Sequence, residues 1–275
     1  MTAMPAAVLA ESTDPPTEPK IIAGLQQTVS PSRLTLFLQC RLKFWFRYVA
    51  RITKPKSAAL HVGGSAHAVL KAWNKSRWRN EPLTLKALHD EYATAWADQA
   101  DEPIEWEPGV EDAEKKTGWR LVETYIRESK IPPELRPDAV EVPVEADLRA
   151  HGLPILIGVL DLVQAGVIVD YKTSGQTPNP ERAVHTHEVQ TSSYSVLYRE
   201  STGKREAGIE VHTLVKLKTP KLVVTATPPM SEQQQTRLFH LIEAYVRGLD
   251  RRDFVPSPGL QCTSCEFFNE CRAWS

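Results

Sequence analysis

Apolar residues in the first half of the chain recur at helical spacing. Leu34, Phe37, Leu38 and Trp45 mark one face of an amphipathic helix over 31–49, on which Cys40 lies. Ser30-Pro31 supplies its start, an N-cap followed by proline at the first helical position. Gly63-Gly64 breaks the chain before a second helix over about 65–80, and helices over about 84–98 and 111–129 follow. The period then shortens to two. Val140-Glu141-Val142-Pro143-Val144-Glu145-Ala146-Asp147 alternates as a strand, with Pro143 marking an edge or a bulge. Runs of Val, Ile and Leu predict strands near 154–164 and 166–172, with Ala165-Gly166 as the tight turn between them. Pro178 and Pro180 precede a helix over about 185–199. Strands near 208–217 and 221–227 join through Thr219-Pro220. A last helix over about 231–249 starts at Ser231, with Gln234 at the capping-box position. Pro256 and Pro258 then lead into a cysteine-bearing tail, and no internal repeat is present.

This order predicts one α/β domain over 21–275, a mixed central sheet flanked by helices. Its helical part spans 31–130, its sheet 139–227, and its C-terminal helix and cysteines 231–275. Residues 1–20, polar and proline-rich, read as a disordered tail.

The two central strands carry charge at their ends. Asp161 closes Gly158-Val159-Leu160-Asp161, and Asp170 and Lys172 follow Val167-Ile168-Val169. Side chains alternate along a strand, so Asp170 and Lys172 share a face. An isolated Asp-x-Lys is commonly a surface ion pair, but here a second strand brings Asp161 to hairpin distance. Two carboxylates and an ammonium at the end of an apolar hairpin are costly to bury uncompensated. A divalent metal between the carboxylates, with Lys172 facing a phosphate, meets that cost. Glu145, on the preceding strand, is either a further acid of this site or a solvent-facing charge.

The chain has four cysteines: Cys40, then Cys262, Cys265 and Cys271 in a Cys-x2-Cys-x5-Cys run. Cys-x2-Cys is metal-ligand spacing, and a four-thiolate set holds either zinc or an iron–sulfur cluster. Residues 1–20 lack the apolar stretch of a secretory signal, which argues against disulfides and for a cytoplasmic protein. No apolar run is long enough to span a membrane.

Gly158-x-x-Asp161, then Asp170-x-Lys172-Thr173, then Gln190-x-x-x-Tyr194 resembles the RecB-like branch of the PD-(D/E)XK nucleases. Leu160 stands at the nominal Pro, and Asp170 where many members have Glu. The segment from Ser30 to Tyr48 is similar to the N-terminal segment of those domains, so the resemblance covers about residues 28–273. It implies a restriction-endonuclease-like fold and metal-dependent hydrolysis of DNA, single-stranded or at a duplex end. Asp161, Asp170, the Tyr171 carbonyl and His67 would hold Mg2+ or Mn2+. Lys172 would position or deprotonate water or neutralise the phosphate, and Gln190 and Tyr194 would orient the strand. One N-terminal and three C-terminal cysteines also resemble the iron–sulfur members, CRISPR-associated and AddB-like. That implies a [4Fe–4S] cluster on Cys40, Cys262, Cys265 and Cys271, tying the N-terminal helix to the C-terminal tail. It further implies a helicase or CRISPR adaptation proteins as partners, or else a non-catalytic DNA-binding module in a larger assembly.

Net charge is −1, which on its face argues against a nucleic-acid binder. The distribution differs from the total. Between Pro19 and Asn80 there are 12 Lys and Arg and no acid, interleaved with aromatic residues. Such a stretch suits a phosphate backbone, with Arg41, Arg47, Arg51, Lys75 and Arg77 as candidate DNA contacts. The segment from Glu81 to Glu114 reverses sign and balances the basic half.

Overall fold

The computed structural model describes residues 17–98 and 103–274. The first half is helical: Glu18–Gln27 (α1), a short strand Thr28–Val29 (β1), Pro31–Gln39 (α2) and Arg41–Phe44 (α3), which continues as π-helix over Trp45–Val49. Then come Lys56–Ser57 (β2), Ala58–Arg79 (α4), Leu85–Ala97 (α5), Ile104–Glu105 (β3) and Glu111–Glu128 (α6). The second half alternates: Ala139–Asp147 (β4), Ile155–Gln164 (β5), Val167–Ser174 (β6), Pro180–Thr186 (α7), Glu188–Thr202 (α8), Gly208–Val215 (β7), Lys221–Thr227 (β8), Glu232–Asp250 (α9) and Phe268–Ala273 (α10).

Three expectations are corrected here. Helix α1 starts at Glu18, inside the stretch expected as tail, while residues 1–16 lie outside the described residues. The helix expected over 31–49 is interrupted at Cys40, whose backbone is extended at φ −162° and ψ 110°. Cys40 donates its N–H to Leu36 O as the end of α2, and its Sγ accepts from Lys43 N at 3.5 Å as the start of α3. Gly63-Gly64 does not break the chain, because α4 runs through it. A Cβ on Gly63 would meet Thr173 Oγ1 at 2.8 Å, so glycine there permits close helix-on-sheet packing. His67 consequently sits mid-helix rather than in a first turn.

The main sheet is mixed. β6 pairs parallel with β7, and β8 antiparallel with β7. β4 pairs antiparallel with β5 from Ala139–Val163 to Asp147–Ile155. The other edge of β5 is shared. Thr28 and Val29 of β1 pair parallel with Ile155 and Leu156, whereas β6 pairs only with Leu162, Val163 and Gln164. Between those contacts β5 and β6 part, just where Asp161 and Asp170 would face each other.

Helices cover both faces and bury two cores. One gathers Leu34, Phe37, Leu156, Leu160, Ile168, Leu197, Ile242 and Tyr245, from α2, α8, α9 and the sheet. The other gathers Val69, Leu70, Tyr92, Leu121, Tyr125, Leu162, Val169 and Tyr171, from α4, α5, α6 and the sheet. A small third core of Leu42, Phe46 and Phe267 packs against Cys40, Cys265 and Cys271.

Strand phase changes once. In β5, Leu156 and Leu160 face the first core, but beyond Asp161 it is Val163, while Leu162 turns to the second. In β4, Val144 and Ala146 face the first core, but so does Ala139, while Val140 turns away. The slip falls at Glu141 and Asp161, the positions skipped between the Val140–Leu162 and Val142–Leu160 pairs, and Glu141 has φ +52°. A non-glycine residue in the left-handed region is unusual and locates backbone strain here.

Candidate functional site

The parting of β5 and β6 makes the site. Tyr171 N, freed from the ladder, donates instead to Asp161 Oδ2 at 3.1 Å. α4 crosses above, and His67 Nε2 lies 3.1 Å from the same Asp161 oxygen. Its Nδ1 lies 3.3 Å from Glu141 Oε1, and Lys71 Nζ is 3.4 Å from Glu141 Oε2. His67, Glu141 and Asp161 each offer a ligand atom, all within 4.8 Å of one another. Among the described residues this is the one trio of His, Cys, Asp and Glu so arranged.

Asp170 and Lys172 share a face, as alternation requires. Lys172 Nζ lies 2.7 and 2.9 Å from the two oxygens of Asp170. Asp170 is 2% exposed, and burial, with Asp161 adding to it, raises its pKa despite Lys172 and His67. Gln190 Nε2, from α8, donates to Asp170 Oδ1 at 2.9 Å and to Tyr194 Oη at 2.7 Å. Burial lowers the His67 pKa, but its hydrogen bond and charge contact with Asp161, then Glu141 and Asp170, outweigh it and the net shift is upward. On the opposite face, the Tyr171 ring is fixed by Asn74 Nδ2, which donates to its hydroxyl at 2.8 Å.

The donor set fits a divalent cation. Glu141 Oε1 is buried and accepts no hydrogen bond, its contact with His67 lacking the geometry of one. A buried carboxylate oxygen that accepts no hydrogen bond is expensive, and a metal ligand bond offsets that cost. Carboxylates and an imidazole are donors that divalent cations take. A cleft of about 780 Å³ opens beside them, lined also by Ser30, Gln190 and Tyr194.

Sequence reasoning missed Glu141. It weighed Glu145, on the same strand, and the structure leaves Glu145 exposed on the cleft wall with Glu141 at the centre. Alternation along the strand gives no local signal for the left-handed backbone at Glu141.

None of the four cysteines forms a disulfide, and all line one void of about 50 Å³ between α3 and the C-terminal tail. Burial, and then the charges of Cys40, Cys265 and Cys262, raise the Cys271 pKa.

The basic stretch is largely engaged with the protein itself. Arg41 pairs with Asp253, Arg47 and Lys43 with Glu266, and Lys54 with Glu270. These pairs join the segment after Cys40 to the cysteine tail. Arg77 is not a surface cation and its candidacy as a DNA contact is corrected. It is 4% exposed and donates to Asn74 Oδ1 and Gln164 Oε1, both at 2.7 Å, and to the carbonyls of Pro132 and Pro133. Burial lowers its pKa. Arg51 is exposed and Lys75 half-buried.

A model of the PD-(D/E)XK nuclease superfamily matches residues 28–272. No curated protein matches the chain in sequence. Among solved structures, one from Eubacterium rectale, provisionally named an exonuclease, is similar at 13% identity and a TM-score of 0.60, covering 99% of this chain and 94% of that one. At that identity the likeness concerns the fold. A second, SSO0001, reaches 13% identity and a TM-score of 0.36 over 88% of this chain and 93% of that one, too low to carry an argument. Among the described residues, no helix is long and apolar enough to cross a membrane.

Proposed function

The chain belongs to the PD-(D/E)XK nuclease superfamily, and from that premise we propose that it is a Mg2+- or Mn2+-dependent deoxyribonuclease of the RecB-like branch, acting as an exonuclease. The observation that carries the reading is the convergence of His67, Glu141 and Asp161 within 4.8 Å beside the buried Asp170–Lys172 pair. His67, Glu141 and Asp161, with Asp170 and the Tyr171 carbonyl, would hold the cation. When bound, such an ion activates water and offsets charge on a phosphodiester in its transition state. The residues of the chain do the rest. Lys172, partly exposed beside Asp170, would donate to a phosphate oxygen or the attacking water. Asp170 anchors both Lys172 and Gln190. Gln190, braced against Tyr194, presents its carboxamide to the strand.

The cysteines support a [4Fe–4S] cluster. A zinc ion at about 2.3 Å from each sulfur holds four sulfurs about 3.8 Å apart. Among the described residues no three thiols lie within 4.8 Å of one another, and they surround a void instead. That void, about 50 Å³, exceeds several-fold the ~10–15 Å³ one water needs, which suits a polyatomic cluster. The cluster would tie the segment at Cys40 to the tail beside the four ion pairs named above. A helicase or CRISPR adaptation protein as partner follows from this branch alone.

Incubating a labelled oligonucleotide with Mg2+ or Mn2+, then with chelator, tests the activity. Shortening from one end that chelation stops supports it; internal cuts would replace exonuclease by endonuclease, and an intact oligonucleotide would refute both.

A further inference from the structure

Helix α4 carries His67, so the seating of α4 on β6 decides where the imidazole meets Asp161. Tyr171 and Thr173 are two apart on β6 and share the face turned to that helix. Gly63 closes on Thr173 near the start of α4. Further along, Asn74 meets the Tyr171 hydroxyl. His67 lies between these two contacts, and on the same side of the helix as Asn74, since seven residues make nearly two turns.

The Asn74 carboxamide has no freedom left. Its Nδ2 donates to Leu70 O and to Tyr171 Oη, each at 2.8 Å, and its Oδ1 accepts from Arg77 Nη1 at 2.7 Å. A guanidinium only donates and a carbonyl only accepts, so these partners allow one orientation of the amide. Asn74 and Tyr171 are both buried, beside the apolar core of α4, α5 and α6. Leucine and phenylalanine would fill the same volumes with no polar group to satisfy. A buried polar contact with every member satisfied specifies one arrangement of the elements it joins. Here those elements are the helix of His67 and the strand of Asp170.

Tyr171 also faces the site through its backbone. Its N–H points across the gap at Asp161. On an extended strand a residue's C=O leaves by the same edge as its N–H. Pairing of β6 with β5 ends at Val169, so the ladder does not take up that carbonyl. Tyr171 thus offers its carbonyl to the site and its hydroxyl to Asn74.

Resting on the nuclease reading, we infer that Asn74 is a positioning residue for the divalent cation. Its hydrogen bond to the Tyr171 hydroxyl holds α4 on β6 at the spacing that brings His67 and the Tyr171 carbonyl to one centre. Asn74 acts through Tyr171 and α4 and is not itself a ligand.

The test reads Mn2+ binding on the full chain without DNA, from the electron paramagnetic resonance signal of the free ion. Tyr171→Phe keeps the ring and the backbone carbonyl and removes only the hydroxyl. It should raise the Mn2+ Kd on the order of tenfold, as when a partner that orients a metal ligand is lost. Asn74→Ala removes the same bond from the helix side and should raise it likewise. The double variant should bind Mn2+ no more weakly than Asn74→Ala alone, because both substitutions break one contact. Tyr125→Phe removes another hydroxyl of this core, 3.4 Å from that of Tyr171 but carried on α6. It should lower Tm and leave the Mn2+ Kd at the wild-type value. An unchanged Kd in both Tyr171→Phe and Asn74→Ala, with wild-type protein binding Mn2+, overturns the positioning role and leaves the nuclease. An equal rise in Tyr125→Phe assigns the effect to a loosened core and overturns the role as well. Wild-type protein that binds no Mn2+ overturns the cation site and the positioning role with it.

Discussion

Replacing Glu141 by glycine should make the metal-free protein more stable and the metal-binding protein weaker. Glu141 holds φ +52°, which costs a non-glycine residue about 1–2 kcal/mol. Its Oε1 is buried without a hydrogen bond, a further cost of about 1–3 kcal/mol. Against these stand contacts with half-exposed Lys71 and with His67, each worth at most about 1 kcal/mol, and the backbone entropy of a new glycine, about 0.5–1 kcal/mol. Set against these, the mid-range costs leave a net gain of about 1 kcal/mol, or a Tm rise of a few degrees. With Mn2+ at one hundred times its Kd, wild-type protein gains about 2.7 kcal/mol, whereas a hundredfold loss of affinity leaves about 0.4 kcal/mol. Thermal melts with and without Mn2+ read both quantities. Glu141→Gln separates them, since it keeps the strained backbone and loses only the ligand. A glycine variant less stable than wild type without metal, yet with the full Mn2+ shift, would refute the reasoning.

Other outcomes follow from the rest of the molecule. Protein purified anaerobically should be brown, with about four iron per chain, and Cys271→Ala should lose iron and lower Tm; stoichiometric zinc without iron would sink the cluster and leave the staple. Glu206 is 2% exposed and accepts from Arg199 Nε and Nη2 at 2.8 Å and from Met230 N at 2.7 Å. Glu206→Ala leaves that guanidinium, a quarter exposed, with only the Met230 carbonyl, and should cost about 2–3 kcal/mol in denaturant melts. Burial pushes the Glu206 pKa up, but Arg199 and the backbone donors outweigh it and hold it below its ordinary 4.5. Its stabilisation is therefore present above that value and lost as pH falls through the lowered one, so Glu206→Gln should flatten the acid limb of the stability profile.

Periodicity sufficed where a contact was local or nearly so. Asp170 and Lys172 share a face because they are two residues apart on a strand, and Gln190 and Tyr194 meet because they are four apart on a helix. The hairpin turn brought Asp161 near. The helical half and the sheet were legible from the same change of period. What stayed hidden depends on distant packing. Alternation puts Glu141 and Glu145 on equal terms, and only the phase slip opposite Asp161 separates them. Gly63-Gly64 has the composition of a helix break, yet the nearness of Thr173 makes it a packing contact within α4. Arg77 belongs by sequence to a basic run, but carbonyls about 55 residues away, at Pro132 and Pro133, satisfy it inside the fold. The acids that neutralise Arg41, Arg47 and Lys54 lie over 200 residues downstream. Charge counted along the chain thus overstated the surface left for DNA.

The most direct measurement is the cleavage rate of an end-labelled single-stranded DNA in Mn2+, for wild-type protein beside Asp170→Asn and Lys172→Ala. Asp170→Asn removes the charge that anchors Lys172 and Gln190 while keeping nearly the same volume. The account predicts clear cleavage by wild type and a fall of at least about 10²-fold to 10³-fold in each variant, as when an electrostatic contact to the transition state is lost. Cleavage undiminished in both variants, or absent from wild type, would contradict it.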